Sequence, residues 1–397
     1  MKRITAVAHE PYVILTMMGC YASLMGFRNA AISITLAQRQ LSAGAIGMNG
    51  LGQCIAMLLV ALVLPRAITR VGCRNACALA LSVEATALAL LALSDNLLVW
   101  FVCRTLLGLS TAALCAAGET LLGASTPDDS RGRIMGIYTA ILGVGLSAGP
   151  ALLSASVFGG LSPFATVWVL VGLTAILVAC LRPSSENQHL EHPAHTSIRN
   201  FLTKAPLIAV LFVLIGMKDT AQSTFLPILG MQLGLSSASS SLLLSACLLG
   251  GVTIPALVGT YSDRTDKRLL LSVVCLVYGG LSFVLVGVLH QPVLRFMVAF
   301  AFGGFGSSIF ALGMTLVGNR FSGHELTSAY VATGSLWGVG SLLGNIVVGG
   351  AIGEQGGMGF STSTGGPFLL VGLLFLWVLA RVSRVEMFRG ARSDDAR

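Results

Sequence analysis

Seven ionisable side chains stand in stretches of this sequence that are otherwise apolar: Arg28, Glu84, Arg104, Glu119, Lys218, Asp219 and Arg295. At the centre of a bilayer each costs roughly 2.5–3.5 kcal/mol, about 20 kcal/mol for the set if all faced lipid. They must therefore pair with one another or line a wet cavity. Two chemistries are available to them. Arginine and lysine can hold an anion, guanidinium groups doing so through paired hydrogen bonds to carboxylate or phosphate. A carboxylate in the same setting can carry a proton, because burial disfavours its charged form. Arg28, Arg104 and Lys218 are thus candidates for gripping a small anionic substrate, with Gln222 one turn beyond Lys218 on the same helical face. Asp219 points about 100° away from Lys218, free to pair elsewhere. Glu119 and Asp219 are the candidate proton carriers.

The same residues also admit structural roles. Lys218 and Asp219 could neutralise each other, Arg104 could bond helix carbonyls, and Arg295 could reach the membrane surface along its stem. Glu84 falls mid-helix with nothing to say which way it faces. Other chemistries find no support. His189, His192 and His195 cluster without the spacing of a closed metal site, so neither metal nor cofactor is expected. There is no G-x-x-x-x-G-K-[ST] loop for ATP and no clustered nucleophile and base, so an enzyme is not expected. Nine cysteines without a C-x-x-C pair read as small apolar packing residues.

The elements that position these residues follow from composition. The chain is 55% hydrophobic and 10% charged, against roughly 25% charged for a soluble domain. Lipid must be its main solvent. Apolar runs of about 20 residues match the length a helix needs to cross the hydrocarbon core. Twelve such spans are read, at 11–36, 44–64, 76–94, 97–122, 133–157, 163–181, 205–232, 237–260, 269–289, 292–318, 326–350 and 367–383. The polar segment Arg182–Lys204 joins two six-helix bundles, residues 1–181 and 205–397. The net charge of +8 sits in short clusters between spans, so nucleic acid is not an expected partner. With the N-terminus inside, every Lys and Arg outside the spans except Arg39 lies on the cytoplasmic side.

The halves repeat one another. A shift of 194 residues lays Pro65 on Gly259, Thr69 on Asp263 and Arg70 on Arg264, and nearly the same shift lays Gly145-x-x-x-Gly149-Pro150 on Gly340-x-x-x-Gly344-Asn345. On these residues the chain resembles the major facilitator superfamily over its whole length. The loop from Gly259 through Asp263, Arg264, Lys267 and Arg268 is similar to that family's G-x-x-x-D-R-x-G-[RK]-[RK] signature, with Asp266 in place of the second glycine. The loop at Pro65–Asn75 is a degenerate copy. Arg104 to Gly108 resembles the R-x-x-x-G motif. Gly145 to Pro150 resembles the antiporter G-x-x-x-G-P motif, with Leu153 and Ser154 where a glycine pair is usual. The resemblance implies an all-α membrane fold of two pseudo-symmetric bundles and export of drugs or metabolites, siderophores included. It also ranks Glu119 ahead of Asp219 for the proton. Gating is expected from Arg70, Asp263 and Arg264 on the cytoplasmic side, and from Gly145, Gly149, Pro150, Gly340 and Gly344, whose spacing suggests a sliding interface between the halves.

The expected protein is a monomeric, proton-coupled exporter of a small anionic molecule in a bacterial-type inner membrane; the alternative is an uptake symporter on the same fold. The orientation generates a test. Cysteines placed in 182–204 should react with a membrane-impermeant thiol reagent only from the cytoplasmic side, and cysteines in 354–366 only from outside.

Overall fold

The computed structural model describes residues 10–126, 128–159, 162–181, 198–262 and 265–379. Asp263, Arg264 and the three linker histidines lie outside these residues, so the expected loop latch is not among the features described below.

Lipid offers the backbone no hydrogen-bond partners, so each span must satisfy its own N–H and C=O groups as a helix. The N-half contains α1 (Glu10–Gln38), α2 (Ala43–Val71), α3 (Cys73–Leu93), α4 (Leu97–Ser125), α5 (Asp128–Phe158) and α6 (Pro163–Cys180). After a short helix, Ile198–Lys204, the C-half contains α7 (Pro206–Gln232), α8 (Ser237–Ser262), α9 (Lys267–Val288), α10 (Leu294–Arg320), α11 (Gly323–Thr364) and α12 (366–379). Polar residues set several starts. The Ser42 hydroxyl accepts from the Ala45 N–H at 3.3 Å, Asn96 from Leu98 at 2.8 Å and Asp266 from Arg268 at 2.8 Å. One expected boundary differs. Residues 351–364, read as a loop, continue α11 as helix, interrupted only where Gly356 adopts φ 57° and ψ −130°. Apolar flanking residues favour helix there, and glycine alone tolerates the break.

Packing repeats between the halves. Helix α1 lies on α5 as α7 lies on α11; α4 packs on α2 and α3 as α10 packs on α8 and α9. The halves meet through α2 against α11 and α5 against α8.

The glycine pairs expected to line that meeting surface do something else. A Cβ on Gly145 would strike Gly19 and Ala22 of α1, and one on Gly149 would strike Ser23 and Phe27. Likewise, Gly340 abuts Val213 and Gly344 abuts Met217, both on α7. These four glycines hold each bundle together internally and do not form a sliding surface between bundles. The reason is helical phase: residues four apart share one face, and that face is taken by the inner helix of the same half. The opposite face of α5 makes the seam. The Ser245 hydroxyl donates to the Ser147 carbonyl at 2.5 Å, and the Ser241 hydroxyl to the Pro150 carbonyl at 2.6 Å. Across the other seam, Asn345 Nδ2 donates to Cys54 Sγ at 3.4 Å, while Gly44 and Gly47 lie against Gly349 and Asn345.

Every one of these contacts lies toward the Gln38–Ser237 end, where Gln38 Nε2 donates to Ser237 Oγ at 2.9 Å. Toward the other end, contact stops at Gly143 against Val252 and Gly338 against Leu58. Beyond that, Gly136, Gly259 and Gly334 face open space, and Tyr261 and Leu257 are exposed. Among the described residues, the seam between the halves is closed at the Gln38–Ser237 end and open at the other. Closure depends on Gly47, because a Cβ there would overlap the Asn345 carbonyl oxygen, a backbone atom that cannot swing away. Gly47→Ala should therefore hold the closed end apart. Paired spin labels on α2 and α11 at that end should show a longer distance than in the parent, measured by pulsed electron resonance.

Candidate functional site

Each half holds an ion pair among its helices. In the N-half, Arg28 of α1 donates from Nη1 to Glu84 Oε1 of α3 at 2.5 Å, and both side chains are wholly buried. Around them α4 supplies hydroxyls. Ser110 donates to Glu84 Oε2 at 2.7 Å, and Arg28 Nη2 donates to Thr111 Oγ1 at 2.5 Å. The Tyr21 hydroxyl, two turns from Arg28 on α1, donates to Glu84 Oε2 at 2.9 Å. The carboxylate thus accepts from three donors. This constellation joins α1, α3 and α4 and leaves no face of Glu84 to solvent.

The C-half pair is built differently. Lys218 Nζ donates to Asp219 Oδ1 at 2.5 Å, and Gln222 Oε1 stands 3.5 Å away. Asp219 Oδ2 accepts from the Trp337 indole N–H of α11 at 2.6 Å. The Lys218 side chain is 2% exposed but that of Asp219 is 36% exposed, so one partner is sealed and the other is partly open. Asp219 does not pair away from Lys218, as a simple 100° rotation suggests. Lysine's flexible stem lets neighbouring residues meet. Immediately after the pair, Ala221–Phe225 forms a π turn ahead of Pro227. Proline lacks an N–H and crowds the preceding turn, and a widened turn relieves both. Gln222 Nε2 and the Tyr278 hydroxyl are buried without a hydrogen-bond partner among the described residues, and both residues border the space Gly306 leaves open beside Lys218.

The remaining sequence candidates are dispersed. Arg104 is buried on α4 at the closed seam, its Nε unpartnered among the described residues, and its Nη2 and Asn345 Oδ1 both border Gly50. Glu119 is exposed near the open end of α4 and accepts from the Tyr138 hydroxyl at 3.0 Å. Arg70 is exposed at the end of α2, and Arg295 lies over the Phe296 ring at 4.9 Å. The structure therefore brings together Lys218, Asp219 and Gln222, and pairs Arg28 with Glu84 instead. Sequence reasoning missed Glu84 as the partner of Arg28, along with Tyr21, Ser110, Thr111 and Trp337. A signal was present: Tyr21 and Arg28 share a face of α1, and adjacent hydroxyls interrupt α4 at 110–111.

Comparison with known proteins agrees with this architecture. The chain is 23% identical over 342 residues to the uncharacterized MFS-type transporter YfkF of Bacillus subtilis (strain 168), covering 85% of this chain and 87% of that protein. It is 24% identical over 321 residues to the uncharacterized MFS-type transporter YcaD of Escherichia coli O45:K1 (strain S88 / ExPEC), covering 80% and 82%. The crystal structure of nucleoside transporter NupG superposes with a TM-score of 0.77 at 15% identity, over 93% of this chain and 98% of that one, a likeness of fold. The family description Major Facilitator Superfamily matches residues 14–303 and again 208–394. With two six-helix halves, a seam closed at one end and this match over nearly its whole length, the chain belongs to the Major Facilitator Superfamily of transporters.

Proposed function

We propose that this transporter couples protons to the uptake of a small anionic solute, with Asp219 taking the proton and Lys218, assisted by Gln222, taking the anion. The observation that carries this reading is the half-sealed pair, in which a buried ammonium is neutralised by a carboxylate that solvent can reach. A proton on Asp219 removes the charge that Lys218 leans on. An unpaired cation in a low-dielectric site is costly, so a second anion then binds more tightly. By linkage the anion also raises proton affinity. Proton and anion load together, which is symport. The open end faces the cytoplasm of the inner membrane, both termini lie there, and the chain works as a monomer.

Proton-coupled export of an anionic metabolite, siderophore or drug is the second reading, favoured by the Gly145–Pro150 motif and by Glu119, which is exposed to the open end beside Tyr138. Antiport requires proton and substrate to exclude each other. In that case Glu119 carries the proton, and Arg28 and Arg104 contribute to the anion site after rearrangement of their present surroundings.

Proteoliposomes enclosing a pH dye separate the two. With acid outside, a panel of radiolabelled small carboxylates and phosphates should include one that accumulates inside as the lumen acidifies; movement in the opposite direction supports export. Asp219→Asn should abolish proton-driven accumulation while leaving anion exchange, with affinity no longer dependent on pH. Wild-type affinity should rise as pH falls, since protonated Asp219 frees Lys218. Uridine belongs in the panel, and its transport unaffected by Lys218→Ala would overturn the anion reading.

The N-half pair gives the contrasting expectation. Glu84→Ala strands the buried Arg28 charge and should cost about 3–5 kcal/mol of stability. Thermal unfolding of the purified variant should fall well below wild type, whereas Glu84→Gln, retaining the shape and an acceptor, should lose less.

A further inference from the structure

A groove of about 380 Å³ lies outside both ion pairs, between the open-end half of α2, the first half of α3 and the middle of α4. Its walls are Leu64, Ile68 and Val71 of α2 and Ala76, Leu79 and Val83 of α3. Its one polar lining residue, Ser110, is already committed, donating to the Ala80 carbonyl at 2.8 Å and to Glu84. Nothing in the groove can bond a polar solute. Leu79 is 61% exposed and Val71 44%, so the groove opens outward.

Two further observations define an occupant. The first is length. The α2 lining runs from Leu59 to Val71, about 18 Å at 1.5 Å per residue. One leaflet of a hydrocarbon core about 30 Å thick spans about 15 Å. The groove is therefore one leaflet deep, from the membrane surface to the midplane. The second is charge. At its surface end Gly72, with φ 83°, turns α2 directly into α3. Arg70, exposed in the last turn of α2, and Arg74, in the first turn of α3, flank that turn. Arg74 spends one N–H on the Ala179 carbonyl at 3.2 Å, leaving the rest of its guanidinium for other acceptors. Basic residues beside an interhelical groove at the membrane surface attract anionic headgroups.

We propose that this groove holds an acyl chain of an anionic phospholipid, with the lipid phosphate against Arg70 and Arg74. The site is independent of the transport reading. Neither a free anion nor a neutral lipid fits both parts of it: the first leaves the apolar walls uncovered, and the second leaves the arginines without a counter-charge among the described residues.

The test uses the purified, delipidated full-length protein in neutral detergent. Dioleoyl-phosphatidylglycerol should raise the unfolding temperature by several degrees and be retained as bound lipid in native mass spectrometry. Dioleoyl-phosphatidylcholine should do so at least tenfold more weakly, and glycerol phosphate should have no effect. Ala76→Phe, which fills the groove, should abolish retention. Arg70→Gln combined with Arg74→Gln should erase the preference for phosphatidylglycerol while leaving the fold, judged by circular dichroism, intact. Equal binding of the two lipids by the wild type overturns the proposal, as does an effect of glycerol phosphate alone. Undiminished phosphatidylglycerol retention in a correctly folded Ala76→Phe protein also overturns it.

Discussion

A charge removed from water must find an opposite charge, and this one demand organises the interior of the protein. The N-half meets it with Arg28 and Glu84 wholly buried and hydroxyls from α1 and α4 satisfying the carboxylate, Arg28 Nε being left without a partner among the described residues. The C-half meets it through a carboxylate that remains partly exposed. Two pseudo-equivalent bundles have thus taken one constraint to different ends. A sealed pair is a fixed joint among three helices; a pair with one wet member can be uncoupled by a proton. Breaking either by deleting one partner leaves the other stranded, which is why such pairs are hard to lose once present.

Around these pairs, small residues determine which surfaces can slide and which cannot. The four glycines at 145, 149, 340 and 344 draw α5 onto α1 and α11 onto α7, making each half a stiff unit. Stiffness inside the halves concentrates movement at the seams. There the described contacts lie toward the closed end and depend on backbone approaching backbone at Gly47. Rigid halves rocking about a central site is the expected behaviour of such a repeat architecture.

Much of the fold was legible because lipid leaves little choice: an apolar run of the right length must be a helix, and repeated punctuation must reflect repeated bundles. The loop expected at 351–364 failed for a different reason, since glycine-rich sequence with polar residues reads equally as turn or as helix with a single break at Gly356. The site was legible only in part. Lys218 and Gln222 one turn apart predicted their meeting, because one helix holds both. Glu84 was invisible as the partner of Arg28, because that contact joins α1 to α3 and its register depends on packing no local pattern encodes. The glycine motifs misled in the same way: spacing identifies a close face but not which neighbour occupies it.

The hydroxyls of Ser241 and Ser245 have a consequence for how readily the closed end can come apart. Each donates across the seam to a carbonyl of α5. A serine within a helix also has a carbonyl of its own one turn back, to which the hydroxyl can rotate. Parting the seam therefore trades one acceptor for another and leaves no donor bare. The exchange is close to even in hydrogen-bond energy, so these bonds define the register of the closed form without locking it. The balance between conformers then falls to steric fit, and substitutions that change side-chain volume along α2 and α11 should move it further than substitutions that change polarity.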